Sequence, residues 1–326
     1  MSTTVLSILQ APIPPPKVLH VEQEPLSPSY NPSPSQSVPT PLQNPLTAFI
    51  PNPVPRYLHK YHHIYDAVQS VQSIISEWKP ADERGSFELE CRFGVWKGQY
   101  FENGVSKLFV EKILSMFDTF TEWKKVTDWE ETHDYYYSNG KDTSAPMVRT
   151  TASFKIDPKT GRKSIHTSHM RKYQRSKMDF KYMGPVSDFH YDLRVGLNYE
   201  ENVSEQELPS IVNPSSVRIK SRKSFYYTSE DFPSLDPIWR FDITRSWSGY
   251  SRTDAELKQR KAETTYEFEL ECLNPRALMV SPKHDSFYVA CSMLLKMKDF
   301  MDNMEKLDFK WEPIQRTPQT FDVACF

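Results

Sequence analysis

Apolar residues recur every three or four positions at Tyr57, Tyr61, Ile64, Val68, Val71, Ile75 and Trp78, a spacing that predicts an amphipathic helix ended by Pro80. A second helix is expected from about Ser106 to Trp123, carried by Leu108, Phe109, Ile113, Met116, Phe117 and Phe120. A third is expected from about His284 to Met304, where Phe287, Ala290, Leu294, Met297, Met301 and Met304 form a heptad-like stripe. That stripe reads as core packing rather than as a cofactor box. Between the second and third helices the period falls to two. FELECRFG, which precedes the second helix, and MVRTTASF, YDLRVGLNYE, VRIKSRKSF, WRFDITRSW and YEFELEC all alternate polar with apolar residues. These are strands, expected to be antiparallel and separated by turn-rich stretches such as Asp157-Pro158-Lys159-Thr160-Gly161. No repeat of 20–50 residues is visible.

Composition separates the two ends of the chain. Fourteen of the 26 prolines lie in residues 1–55, a stretch with no glycine, one Lys and two Glu. Such a segment cannot bury enough surface to offset chain entropy, so residues 1–55 are expected to be a disordered Pro/Ser-rich tail, and 56–326 a single catalytic domain. The SPSYNPSPSQS run offers phosphorylation or proline-reading partners something to bind, although a plain spacer is the simpler reading. No stretch approaches the ~20 apolar residues that a bilayer span requires, and the amino terminus carries no basic charge ahead of its short apolar run. Neither a membrane partner nor a secretory signal is expected, and the chain reads as intracellular. Cys91, Cys272, Cys291 and Cys325 have no CxxC spacing and read as free thiols, with no zinc site. The formal charge of −2 argues against bulk attraction to duplex nucleic acid, so any polyanion must be held in a local pocket.

The chemistry lies in the parity of the strands. Residues i and i+2 of a strand share a face and stand about 6.8 Å apart. Glu88, Glu90 and Arg92 project one way, with Leu89, Cys91 and Phe93 opposite; Glu267, Glu269 and Glu271 repeat this against Phe268, Leu270 and Cys272. Arg218, Lys220 and Arg222 form a basic triplet against Val217 and Ile219, and Arg240, Asp242 and Thr244 stand against Phe241 and Ile243. A solvated sheet face interleaves signs, whereas here one strand carries three glutamates on a face and another carries three bases. Like charges side by side repel, so a divalent cation is expected among the glutamates and a phosphate chain among the bases. Burying these charges in a dry core would cost on the order of tens of kcal/mol, which calls for a hydrated cavity. A sheet curled so that its charged faces converge leaves its apolar faces outward, to be covered by helices. The expected fold is therefore α+β: an antiparallel barrel with a polar, charged lumen and helices packed outside. Carboxylate oxygens favour Mg²⁺ or Mn²⁺ over zinc, and phosphate hydrolysis is the chemistry that such a lumen suits.

On these residues the sequence resembles the metal-dependent RNA 5′-triphosphatases of fungi and some viruses and protists, the β subunit of the mRNA capping enzyme, within the triphosphate tunnel metalloenzymes. A lone ExE tripeptide is worthless as a signal, but ELECRFG and YEFELEC lie at opposite ends of the domain, with HDYYY, VRTT, DLRVGLNYE, RIKSR and WRFDIT between them in the family's order. The likeness covers roughly residues 57–310. It implies an eight-stranded tunnel, removal of the γ-phosphate from 5′-triphosphate RNA ahead of guanylyl transfer, a nuclear location, a guanylyltransferase partner (the capping enzyme α subunit) and a homodimer. A tryptophan docking motif for that partner is not recognisable upstream.

Carried over position by position, the resemblance makes Glu88, Glu90 and Glu271 direct metal ligands. It makes Glu269 and Asp242 partners through metal-bound water, and Glu267 the family's remaining essential glutamate. Arg149, Lys220 and Arg222 are similar to the γ-phosphate clamp, Arg218 and Arg240 to its supports, and Glu200 to the glutamate that orients the attacking water. Asp134 and Thr244 match lesser positions. For the family's base on the strand ahead of the DL segment, MRKYQRSKMDF offers Lys172, Arg175 and Lys177, of which Arg175 is taken here. His166 and His169 are spaced for opposite faces and read as surface residues. The alternatives are another tunnel triphosphatase acting on inorganic, nucleoside or thiamine triphosphate, and a non-catalytic polyanion-binding module.

Overall fold

The structure is a computed structural model describing residues 64–78, 81, 84–138, 146–156, 163–208, 213–228, 237–273, 286–304 and 309–314. The Pro-rich tail over 1–55, Tyr57, Tyr61, Pro80, the turn at 157–161, His284 and Cys325 lie outside the described residues. In chain order the elements are α1 (Tyr65–Ser76), β1 (Gly85–Trp96), β2 (Phe101–Asn103), α2 (Lys107–Thr119), β3 (Lys125–Val126), β4 (Glu130–Tyr137), β5 (Val148–Ile156), β6 (Lys163–Met183), β7 (Asp192–Asn202), β8 (Ser216–Tyr227), β9 (Trp239–Gly249), α3 (Arg252–Arg260), β10 (Thr265–Cys272), α4 (Ser286–Met304) and β11 (Lys310–Pro313).

Eight strands close into an antiparallel barrel in the order β10-β9-β8-β4-β5-β6-β7-β1, and β1 pairs back to β10. The short strands sit at its margins: β2 on β1, β3 on β8 and β11 on β6. Closure removes sheet edges, so every barrel strand has a partner on both sides.

What holds the barrel is the apolar parity of its strands turned outward. Leu89, Cys91 and Phe93 of β1, Leu193, Val195 and Leu197 of β7, Phe241 and Ile243 of β9, and Phe268 and Leu270 of β10 are buried in one cluster with α1, α2 and α4. Each such side chain contributes about 1.5–3 kcal/mol on burial. Phe268 is the hub: its ring lies 5.7 Å from Phe93, 5.9 Å from Phe109 and 5.2 Å from Phe300. The stripe on α4 is core, as its spacing implies, and Cys91, Cys272 and Cys291 are buried.

Helix α2 begins where expected, because the Ser106 hydroxyl accepts from the Phe109 amide at 3.1 Å. It stops at Thr119 rather than near Trp123, since Phe120 is already extended, and the Trp123 ring folds back onto Phe117 at 4.8 Å. Helix α3 was not announced by periodicity. It buries only Ala255, against Ile219 and Trp247, so it carries no apolar stripe to read.

Candidate active site

Turning the apolar faces outward turns the charged faces into the lumen. Across the closing seam Glu90 stands opposite Glu271, and Arg92 opposite Glu269. On the next strand Glu271 faces Arg240, Glu269 faces Asp242 and Glu267 faces Thr244. Strand β8 adds Arg222 opposite Thr244 and Ser224 opposite Asp242. Strands β4 and β5 bring Asp134 beside Arg218 and Thr151, and Tyr136 beside Arg149. Strand β7 places Asn198 beside Glu88 and Gly196 beside Glu90. A glycine at that point leaves the lumen open next to the carboxylate, with no atom nearer than 3.6 Å to where a Cβ would stand.

These groups form a continuous ionic lining. The Lys220 ammonium lies 2.6 Å from Asp134, which is fully buried and also accepts from the Thr151 hydroxyl at 2.7 Å. Arg149 reaches Glu200 at 3.3 Å, and Arg222 reaches Asp242 at 3.2 Å. Asp242 is further held by Arg240 at 3.0 Å and by the Ser224 hydroxyl at 2.6 Å. Arg92 bridges Glu90 and Glu269, Arg240 also pairs with Glu271, and Arg218 pairs with Glu267. The Asn198 amide donates to Glu90 at 3.0 Å. The buried Thr244 hydroxyl and the Arg149 Nε meet no hydrogen-bond partner among the described residues, so both keep capacity for an oxygen of a bound molecule.

The electrostatics are uneven. Burial, reinforced by Glu88, Asp242 and Glu90 against the pull of Arg240, raises the Glu271 carboxyl well above the ordinary range. Burial also raises Glu90, with Glu88 and Glu269 adding to it and Arg92 and Lys172 opposing. Burial works the same way on Glu269, but Arg92, Arg222, Lys172 and Arg218 override it and hold that group ionised far into acid. Burial lowers Lys220 to about 8, helped by Arg222 and Arg218 and resisted by Asp134. Burial thus raises two carboxylates on β1 and β10, while the bases crowded on β8 add to the lowering of Lys220.

The sequence-predicted residues Glu88, Glu90, Glu271, Glu269, Asp242, Glu267, Arg149, Lys220, Arg222, Arg218, Arg240, Glu200, Asp134 and Thr244 all come together on lumen-facing positions. Arg175 does not. A β-bulge between Gln174 and Ser176 throws it to the outer surface, where its guanidinium lies 5.9 Å from the Tyr173 ring centre and 5.5 Å from that of Tyr199. The base on the lumen side is Lys172, which contacts Glu88, sits 3.3 Å from Glu90 and 3.9 Å from Glu200. Lys177 is in register with Gly196 on the same side. Arg92 and Asn198 were overlooked as functional groups, although the parity of Glu88 and Glu90 already put Arg92 on their face. His166 and His169 fall on opposite faces, His166 opposite Ser153 and His169 within 2.9 Å of the Thr150 hydroxyl.

Among the described residues no three acidic, histidine or cysteine groups are gathered closely enough to form a ready metal cage. Lys172, Arg92 and Arg240 hold the carboxylates instead. The donor set nevertheless fits a hard divalent cation: three carboxylates on adjacent strands, two of them directly opposed and raised by burial.

The family model described as mRNA capping enzyme, beta chain, matches residues 123–310. The chain belongs to that family. A capping enzyme beta chain of the tunnel type, it is an RNA 5′-triphosphatase, and the eight-stranded lumen is where its polar chemistry is concentrated. Solved structures similar to this beta chain include the S. pombe Pct1 RNA triphosphatase, 15% identical with a TM-score of 0.46, covering 83% of this chain and 98% of that one. The Mimivirus capping enzyme triphosphatase is 15% identical with a TM-score of 0.42, covering 73% of this chain and 97% of that one. No curated protein sequence matches.

Proposed function

We propose that this RNA 5′-triphosphatase depends on Mg²⁺ or Mn²⁺ held by Glu88, Glu90 and Glu271, with Glu269 and Asp242 engaging it through water. The observation that carries the reading is the division of the lumen, with glutamates on β1 and β10 and the Arg218, Lys220, Arg222 triplet on β8. A bound cation would polarise a phosphoryl oxygen and offset the charge of the glutamate wall.

The chain's own residues supply the rest. Arg149, Lys220 and Arg222 hold the γ-phosphate oxygens, the arginines through two N–H groups each and the lysine as a point charge. Asp134 anchors Lys220, while Arg218 and Arg240 orient Glu267, Glu271 and Asp242. Glu200, steadied by Arg149, accepts a proton from the attacking water. The new bond joins water oxygen to the γ-phosphorus, the bond to the β-bridging oxygen breaks, and the electron pair leaves with the diphosphate end of the RNA. Thr244 offers its hydroxyl beside Arg222.

A diphosphate end is the acceptor for guanylyl transfer, so the partner assigned is the guanylyltransferase, the location nuclear and the assembly a homodimer. Residues 1–55 have no catalytic role in this scheme and act as a spacer. Phosphate release from γ-labelled RNA with each metal, beside sizing of the purified protein and its co-purification with guanylyltransferase, tests these assignments.

A further inference from the structure

The bulge in β6 does more than remove Arg175 from the lumen. It stacks that guanidinium over Tyr173 and Tyr199, and the Tyr199 ring continues to Phe87 at 5.1 Å. The Tyr173 hydroxyl donates to Glu201 at 3.1 Å, and Arg171 lies 3.4 Å from the same carboxylate, which fixes the tyrosine and offsets the negative charge. Arg175 is exposed, and Tyr173, Tyr199 and Phe87 are half-buried.

The position of this ladder is what gives it meaning. Each ring stands next in sequence to a lumen group: Phe87 to Glu88, Tyr199 to Glu200, Tyr173 to Lys172. It therefore backs the lumen wall where β1 begins at Gly85 and β7 ends at Asn202, beside one mouth. At the opposite ends of β1 and β7 the lumen side is filled. Phe101 lies across Gly94, where a Cβ would meet its ring at 2.4 Å. Arg194 covers that ring at 4.5 Å while held by Asp179 at 2.6 Å and 3.1 Å.

We propose that Tyr173, Tyr199, Phe87 and Arg175 form a stacking platform for the single-stranded nucleotides that follow the triphosphate of the RNA. The inference rests on the assignment of the lumen to a 5′-triphosphate end. Unpaired bases stack on aromatic rings and on arginine planes with little regard to sequence, which suits an enzyme acting on many transcripts. Arg175 would also meet the phosphate backbone, and a bulge is the device by which a strand re-aims one such side chain.

The test is steady-state hydrolysis by the full chain carrying Arg175→Ala, Arg175→Lys or Tyr173→Ala, on 5′-triphosphate RNA of about 20 nucleotides and on inorganic triphosphate. The expected result is a KM for RNA raised about tenfold in Arg175→Ala and Tyr173→Ala. Arg175→Lys should recover little of it, kcat should hold, and inorganic triphosphate should be cleaved as by the parent. RNA carrying 2-aminopurine at its second nucleotide should be quenched by the parent and not by Arg175→Ala. An unchanged KM for RNA and unchanged quenching in Arg175→Ala, an exposed position that leaves the core intact, would overturn the platform while leaving the triphosphatase standing. A parent chain inactive on RNA but active on inorganic triphosphate would overturn both.

Discussion

Glu90 and Glu271 stand directly opposite one another at the seam where β1 and β10 close the barrel, and each leans on a different arginine, Arg92 and Arg240. A buried and a half-buried carboxylate at one cross-strand position repel, and a cation joining them would offset that repulsion. Glu90→Ala and Glu271→Ala, with Glu88→Ala beside them, should each reduce turnover about a thousandfold or more, since in the proposed mechanism each removes a metal ligand worth about several kcal/mol. Glu→Gln should fail almost as badly because the amide lacks the charge. Isothermal titration with Mn²⁺ should show weakened binding in all three.

Arg222 and Ser221 separate the two faces of β8. Arg222 points into the lumen at Asp242, and Ser221 points outward beside Arg245 in register. Arg222→Lys keeps the charge but loses the planar fork, and should reduce kcat about a hundredfold. Ser221→Ala should leave it unchanged. Initial rates for both variants, with Mn²⁺ binding retained in each, would check the parity of the strand on which the clamp rests.

Much of this parity was legible in the sequence because the signals were strict alternation and segregated charge: ELECRF, RIKSR and YEFELEC each declare an apolar and a charged face. Two barrel strands were not legible that way. In EETHDYYY aromatic residues occupy both faces, and β6 is polar on both sides for much of its length, so neither has a period to count. The bulge after Gln174 shifts phase by one residue, which is why Arg175 lies outside and Lys172 stands on the lumen side. Asn198 could not be recognised as the group that steadies Glu90, because that depends on a cross-strand pairing that the linear sequence does not display.

Lys220 sets a pH dependence. Its folded value of about 8 lies below the ordinary lysine value of 10.5, so the ammonium, the phosphate grip in the proposed mechanism, is present below pH 8 and lost above it. kcat/KM should therefore fall on the alkaline side with a midpoint near 8. Lys220→Arg, which stays charged, should move that limb to higher pH whatever its effect on the maximal rate. A pH–rate profile of parent and variant from 6 to 10 gives the comparison.

Phe268 links packing to chemistry, since it lies between Glu267 and Glu269 on β10 and its ring faces the helices. Phe268→Ala empties the hub of the aromatic cluster and should cost about 3–5 kcal/mol of stability. Urea denaturation followed by tryptophan fluorescence would show it as a lowered midpoint with little change in slope.

Metal-dependent hydrolysis of one phosphate inside the charged barrel is tested by following two labels on the same RNA. γ-Labelled 5′-triphosphate RNA should release all its label as inorganic phosphate in Mg²⁺ or Mn²⁺, while β-labelled RNA should retain it on a diphosphate end. Both chelation and Glu90→Ala should abolish release. Release of the β label, or γ release that survives complete chelation, would contradict metal-dependent hydrolysis of one phosphate.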